Sequence, residues 1–367
     1  MNIPLFSAYR SEKIEAISLE VLRSGFIANG PYVNLFTERF SKLIQNENVV
    51  TTNDMSTAIQ IALHLSGVGE GDEVLTMAYS CMSSNSPIAL AKAKAVWVDM
   101  DPITLSIDLD SLKKRITKKS KALILYHVAG YPGPVEQVAK ICKEHGIKLI
   151  EDCNNALLAV SQNKPVGHWG DFSIFSFYPN RQINAGEGGA LVCKNKSEAE
   201  RALRLRRYGI NGKTFRDAAG EIDPNSDIPE IGWAAILNNL SSAMGYAQID
   251  SVTERIEKVR SHARQFDLVL TGNPQISPIV ISETLPSYWV YMIRSPKRDA
   301  LMLHLKNSGI TCSKIHQLNN IYSGFNSAKI EIPGSDEVMA SVLGIPCGWW
   351  LEPKDIEFIK TKLNEAF

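Results

Sequence analysis

The chain is poor in the features that would mark it for a membrane or a nucleic acid. It has no uninterrupted apolar run of ~18 residues, the length a spanning helix needs. Its N-terminus, "MNIPLFSAYRSEK", lacks the apolar core of a secretory signal, so a cytoplasmic protein is expected. It has no surplus of either charge: 39 Lys and Arg balance 39 Asp and Glu, which gives no reason to expect a nucleic-acid partner. No CxxC pair occurs, and the six cysteines lie apart from any paired histidines, so the spacing gives no zinc site. Reduced thiols, mostly buried, are expected instead. Internal repeats and low-complexity segments are also absent.

What is present is ordinary globular material in 367 residues, enough for one large domain and a smaller one. From Val49 to about Leu191, apolar strand-like runs alternate with helical stretches. "DEVLTMAYS", "AVWVDMD", "KALILYHVAGYP", "IKLIEDCNNA", "FSIFSFYP" and "GALVCKN" have strand character. "PVEQVAKICKEHG" has helical spacing and stops at Gly146. Such alternation predicts an α/β fold with a mostly parallel sheet covered on both faces. Ligands in these sheets sit beyond the carboxyl ends of the strands, which singles out Asp152 and Ser176. After about Glu200 the chain turns polar, and "RALRLRRYGINGKTFRDAAGEIDPNSDIPEIGW" predicts a long loop. "NNLSSAMGYAQIDSVTERIEKVRSHARQFDLVL" predicts a long, bent helix. From Thr271 onward a smaller α+β unit is expected, closing on the amphipathic helix "EPKDIEFIKTKLNEAF". The expected division is a large domain over 1–250 and a small one over 251–367.

An ordered set of segments carries a resemblance. "SGFIANGPYVNLFTERF", "VDMDPITLSID", "HVAGYP", "IEDCNNA", "FSFYPNRQINAGEGGAL" and "LGIPCGWWLEPKDIEFI" occur in that order along nearly the whole chain. Together they resemble the DegT/StrS-type nucleotide-sugar aminotransferases, which are fold type I enzymes dependent on pyridoxal phosphate (PLP). The resemblance implies an amino transfer from glutamate to a keto-sugar nucleotide in surface-polysaccharide synthesis, by a homodimer. It assigns Asp152 to the cofactor's pyridine nitrogen, which must stay protonated for the ring to act as an electron sink. Ser56 and Ser176 become phosphate ligands, with Met55 beside them at a helix N-terminus. Thr57 reads equally as a phosphate ligand or a plain helix cap. Cys81 aligns with the group packed on the cofactor ring, and Asn155 with the one near its phenolic oxygen.

Position 181 departs from the family pattern. The resemblance places the Schiff-base lysine there, and this chain has Arg181. A guanidinium stays protonated and delocalised, so it neither forms a Schiff base nor serves as a general base. Further departures accompany it: Met55-Ser56 for Gly-Thr, Asn155 for Gln, and Ala234 for an Asn that reaches the partner subunit. Several coordinated changes fit natural divergence better than one engineered substitution. Arg181 could still hold a phosphate or carboxylate. Lys213 and Lys314 are conceivable substitute amines, and Lys213 and His316 are candidate substrate contacts. His127, at a strand end, reads either as a proton-transfer group or as a hydrogen-bonded structural histidine. The basic segment around Lys213 reads as a neighbour of the partner's site or as a solvated loop. Three functions stay open: an aminotransferase, a lysine-independent enzyme (a sugar dehydratase using the amine form PMP, held non-covalently, or a sugar-nucleotide enzyme without PLP), and a non-catalytic binding partner.

Overall fold

The computed structural model describes residues 2–326 and 330–367. A seven-stranded sheet forms its centre. The strands are β1 (Val49–Thr52), β2 (Glu73–Met77), β3 (Lys94–Val98), β4 (Ser120–Tyr126), β5 (Lys148–Asp152), β6 (Phe172–Ser176) and β7 (Gly189–Cys193). Their spatial order is β1-β7-β6-β5-β4-β2-β3. Five neighbouring strands, β6 to β3 in that order, pair in parallel. Only β7 runs against the rest, pairing antiparallel with both β1 and β6. The inner strands are buried on both faces, as their unbroken apolar runs require. The α/β fold expected from the alternation is what forms.

Helices α1 (Glu12–Ser24), α2 (Tyr32–Leu43), α3 (Met55–Leu65), α4 (Met82–Leu90), α5 (Leu109–Arg115) and α6 (Val135–His145) precede β5. Gly146 ends α6 in the left-handed conformation, φ 67°, as its place after the periodic run predicts. The Asp54 side chain caps α3 by accepting from the Thr57 N–H at 2.8 Å.

Two expectations change. The polar stretch after Glu200 begins inside a helix, α7 (Lys196–Leu205), because Ala199, Ala202 and Leu205 share one buried face. The rest of that stretch is an irregular excursion, pinned where Trp233 N donates to Leu205 O (2.7 Å) and Tyr208 N to Trp233 O (3.0 Å). The long helix is two helices, α8 (Asn239–Tyr246) and α9 (Ile249–Leu270). Gln248 sits at the break and turns its buried amide to the backbone of Asn184, accepting from N (3.1 Å) and donating to O (2.5 Å).

The C-terminal part holds an antiparallel sheet of β8 (Ser277–Pro278), β9 (Tyr291–Arg294) and β10 (Val342–Ile345). The half of α9 beyond Val259 packs against it together with α10 (Arg298–Asn307) and the C-terminal helix α11 (Pro353–Asn364). Ile3 joins this cluster from the far end of the chain, donating to Gly309 O at 2.8 Å.

Candidate active site

Beyond the carboxyl ends of the parallel strands lies a cavity of about 430 Å³. Met55, Ser56, Cys81, Ser176, Arg181 and His316 all line it, as does Trp289. Widely separated segments therefore converge where the strand-end argument places a ligand.

Arg181 belongs to the tight loop between β6 and β7. Backbone bonds close that loop: Phe177 N to Gly188 O and Ala185 N to Phe177 O, each 2.8 Å. Side chains from outside lock it. Gln182 Nε2 donates to Asn155 O (2.9 Å), and Arg255 Nη1 from α9 donates to Gln182 O (2.7 Å). The Arg181 guanidinium lies 4.8 Å from the centroid of the Trp289 ring, which itself stacks on Phe6. Arg181 Nη1 donates to Asn180 Oδ1 at 2.6 Å. Arg181 is only 8% exposed, and its Nε has no partner. Burial lowers its pKa, opposed by Tyr126, Cys81, Asp152 and Tyr178.

Asp152 ends β5 and is fully buried. Its Oδ2 accepts from Ser84 Oγ (2.6 Å), and its Oδ1 from the backbone and side-chain nitrogens of Asn154 (3.1 and 2.8 Å). Burial pushes its pKa up, and these hydrogen bonds pull it back. Asp152 is not among the residues lining the cavity, and its negative charge favours the Arg181 cation.

A second network fixes His316. Tyr126 Oη accepts from Asn155 Nδ2 (2.7 Å) and from Ala129 N (3.2 Å). Both its lone pairs are then engaged, so its proton goes to His316 Nε2, 3.1 Å away. Burial, followed by the Arg181 charge, lowers the His316 pKa to about 3. The imidazole is therefore neutral near pH 7, with its own proton on Nδ1.

The anion-binding end is built on α3. The N–H groups of Met55 and Ser56 lie in its first turn, where no intrahelical acceptor exists. Ser176 Oγ accepts from Tyr178 N at 3.4 Å, which leaves its proton for a ligand. Ser56 Oγ donates to Ser83 O (3.1 Å). Asp54 and Glu187 also line the cavity here, and burial together with Asp54 raises the Glu187 pKa. Near Asp152, Asn154 Oδ1 and Asn155 Oδ1 are buried acceptors without partners. Unsatisfied acceptors around a buried carboxylate, with N–H and O–H donors at a helix start, suit a phosphorylated ring cofactor. The residues present fit PLP or PMP, except that no amine lines the cavity among the described residues.

His127 is placed outside the lining of this cavity, in a hydrogen-bonded setting that suits the structural alternative. It is fully buried, its Nδ1 accepts from Gly133 N (3.1 Å), and its Nε2 faces Glu151 Oε2 (3.4 Å). Glu151 in turn accepts from the backbone N–H groups of Gly167, Trp169 and Gly170, each at 2.7 Å. This is a polar tie between β4, β5 and the following loop. Lys213 lines a different groove, beside Lys196 and Arg204. Lys314 Nζ pairs with Asp299 at 3.3 Å, and Tyr79 Oη donates to its carbonyl. Neither lysine reaches the cavity within this chain. Asp54, Trp289, Tyr126 and Ser84 carried no local sequence signal for the site, apart from the capping pattern around Asp54.

The family model for the DegT/DnrJ/EryC1/StrS aminotransferases matches residues 8–364. A pleiotropic regulatory protein of Geobacillus stearothermophilus is 29% identical, over 100% of this chain and 99% of its own. The dTDP-4-dehydro-2,3,6-trideoxy-D-glucose 4-aminotransferase of Saccharopolyspora spinosa is 28% identical, over 97% of this chain and 94% of its own. Among solved structures, a sugar aminotransferase of Micromonospora echinospora superposes with a TM-score of 0.94 at 28% identity, covering both chains fully. The chain belongs to the DegT/DnrJ/EryC1/StrS aminotransferase family.

Proposed function

We propose that this chain is a relative of the nucleotide-sugar aminotransferases that works without a lysine in its cavity. In this reading it binds a phosphorylated ligand and a keto-sugar nucleotide without glutamate-dependent amino transfer. One observation carries the reading: among the described residues lining the cavity, the cationic side chain is the Arg181 guanidinium, and none is a lysine. PLP or PMP, when bound, supplies an electron sink for amine chemistry. The residues that would hold the phosphate, the ring nitrogen and a second anion orient rather than react. Met55 N, Ser56 N and the Ser176 hydroxyl would receive the phosphate, Asp152 would serve the ring nitrogen, and Arg181 would hold a second anionic group.

A lysine-independent dehydration requires a group that takes up a proton. His316 is neutral but unsuited to this, because its Nε2 lone pair already accepts from Tyr126 and its Nδ1 already carries a proton. The geometry therefore favours binding without transamination or dehydration. The expected assembly is a homodimer. Soaking the protein with PLP, reducing with borohydride and weighing the intact chain tests the reading. No mass gain is expected, and a gain located on a lysine would overturn it.

A further inference from the structure

Cys81 stands apart from the other cysteines. Cys142, Cys153, Cys193, Cys312 and Cys347 are buried, whereas Cys81 is partly exposed and opens onto the cavity. It occupies the N-cap position of the nine-residue helix α4, and its side chain makes no capping hydrogen bond. Helix N-termini and neighbouring guanidinium groups are the surroundings in which thiols act as nucleophiles. The second of these is present as well. Arg181 lines the same cavity, is only 8% exposed, and has an Nε without a partner. A buried donor left open in this way points to an anion that the cavity receives. The Trp289 ring and Asn180 hold the guanidinium in place, so it is ordered before any ligand arrives.

We propose that Cys81 is the covalent nucleophile of this cavity, adding reversibly to the carbonyl of a ligand whose neighbouring anionic group Arg181 holds. The step balances without a co-reactant. A sulfur–carbon bond forms, the carbonyl π bond breaks, and the thiol proton ends on the carbonyl oxygen. Nothing is oxidised or reduced, and reversal returns the ketone or aldehyde unchanged. The inference deepens the proposed function, because it rests on the cavity admitting a keto ligand. It supplies a covalent handle at a different residue from the absent lysine.

Alkylation of the full-length protein tests it. Iodoacetate and iodoacetamide differ in charge and in intrinsic rate, so each rate is taken relative to that of free cysteine with the same reagent, and peptide mapping locates the label. Cys81 is expected to be labelled ahead of the five buried cysteines, and about tenfold faster by iodoacetate than by iodoacetamide. Arg181→Gln should bring that ratio to about one, while Arg181→Lys, which keeps the charge, should retain the preference. Glyoxylate, an aldehyde bearing a carboxylate, should protect Cys81 from iodoacetamide, and dialysis should restore labelling. Equal rates with the two reagents on the unmodified chain, or labelling indifferent to glyoxylate, would overturn the proposal. A borohydride-stable lysine adduct would instead sink the lysine-free reading and leave the alkylation result standing.

Discussion

Three contacts hold Arg181: the Trp289 face, the Asn180 amide, and the loop that Gln182 and Arg255 tie down. That environment preserves a cation in a buried place and removes the nucleophilic amine. Arg181→Lys should therefore add a primary amine to a pocket already shaped for a phosphorylated ring. We expect the variant to gain a borohydride-stable PLP mass increment that the unmodified chain lacks. Failure of the variant to gain it would show that Asp54, Met55 or Asn155 has also moved the site away from the cofactor. His316 gives a pH prediction at the same scale. Its folded pKa is about 3 against an ordinary 6.5, so between these values the unfolded chain binds the extra proton. Its contribution to stability is thus present above about 6.5 and lost as pH falls toward 3. His316→Asn should flatten the fall in urea midpoint across that window, and an unchanged slope would refute the assignment.

Elements set how close these residues come. Gly189 opens β7 directly against the start of α3, where an added Cβ would lie 2.7 Å from the Asp54 carbonyl carbon and oxygen. Backbone on both sides leaves nothing to yield, so Gly189→Ala should cost about 1–3 kcal/mol in chemical denaturation. The tie through Glu151 is a second such point. Glu151→Gln replaces one carboxylate oxygen, which takes two of the four contacts, by an NH2 group facing their N–H donors, and a loss of about 3 kcal/mol is expected. The strands of the sheet and its cover on both faces were legible in the sequence because two-sided burial writes itself as unbroken apolar runs. Asp152 and Ser176 were legible because polar residues at strand ends have few structural reasons to be there. Helix α7 was missed because its buried residues are small alanines inside an otherwise charged run. The break at Gln248 was missed because its cause is a bond to Asn184, 64 residues away. Trp289 and Tyr126 were illegible for the same reason: their place in the site is set by tertiary contact, and nothing local marks it.

On the scale of the whole molecule, the cavity joins the central sheet to the C-terminal unit. His316 and Trp289 come from the C-terminal part and meet Tyr126 and Arg181 from the sheet side. No helix among the described residues is long and apolar enough to cross a membrane. The surface nevertheless carries apolar side chains on α1 and the turn after it: Leu19, Leu22, Phe26 (67% exposed) and Ile27. We expect these to be covered in a homodimer. Sedimentation should show a dimer that Phe26→Asp shifts toward monomer, and a monomeric unmodified chain would contradict the expectation. The central claim is that family architecture persists here without the family's covalent lysine chemistry. Its most direct test is the intact mass of the unmodified protein after incubation with PLP and borohydride. The account predicts the mass of the bare chain. A stoichiometric increment mapped to any lysine would contradict it.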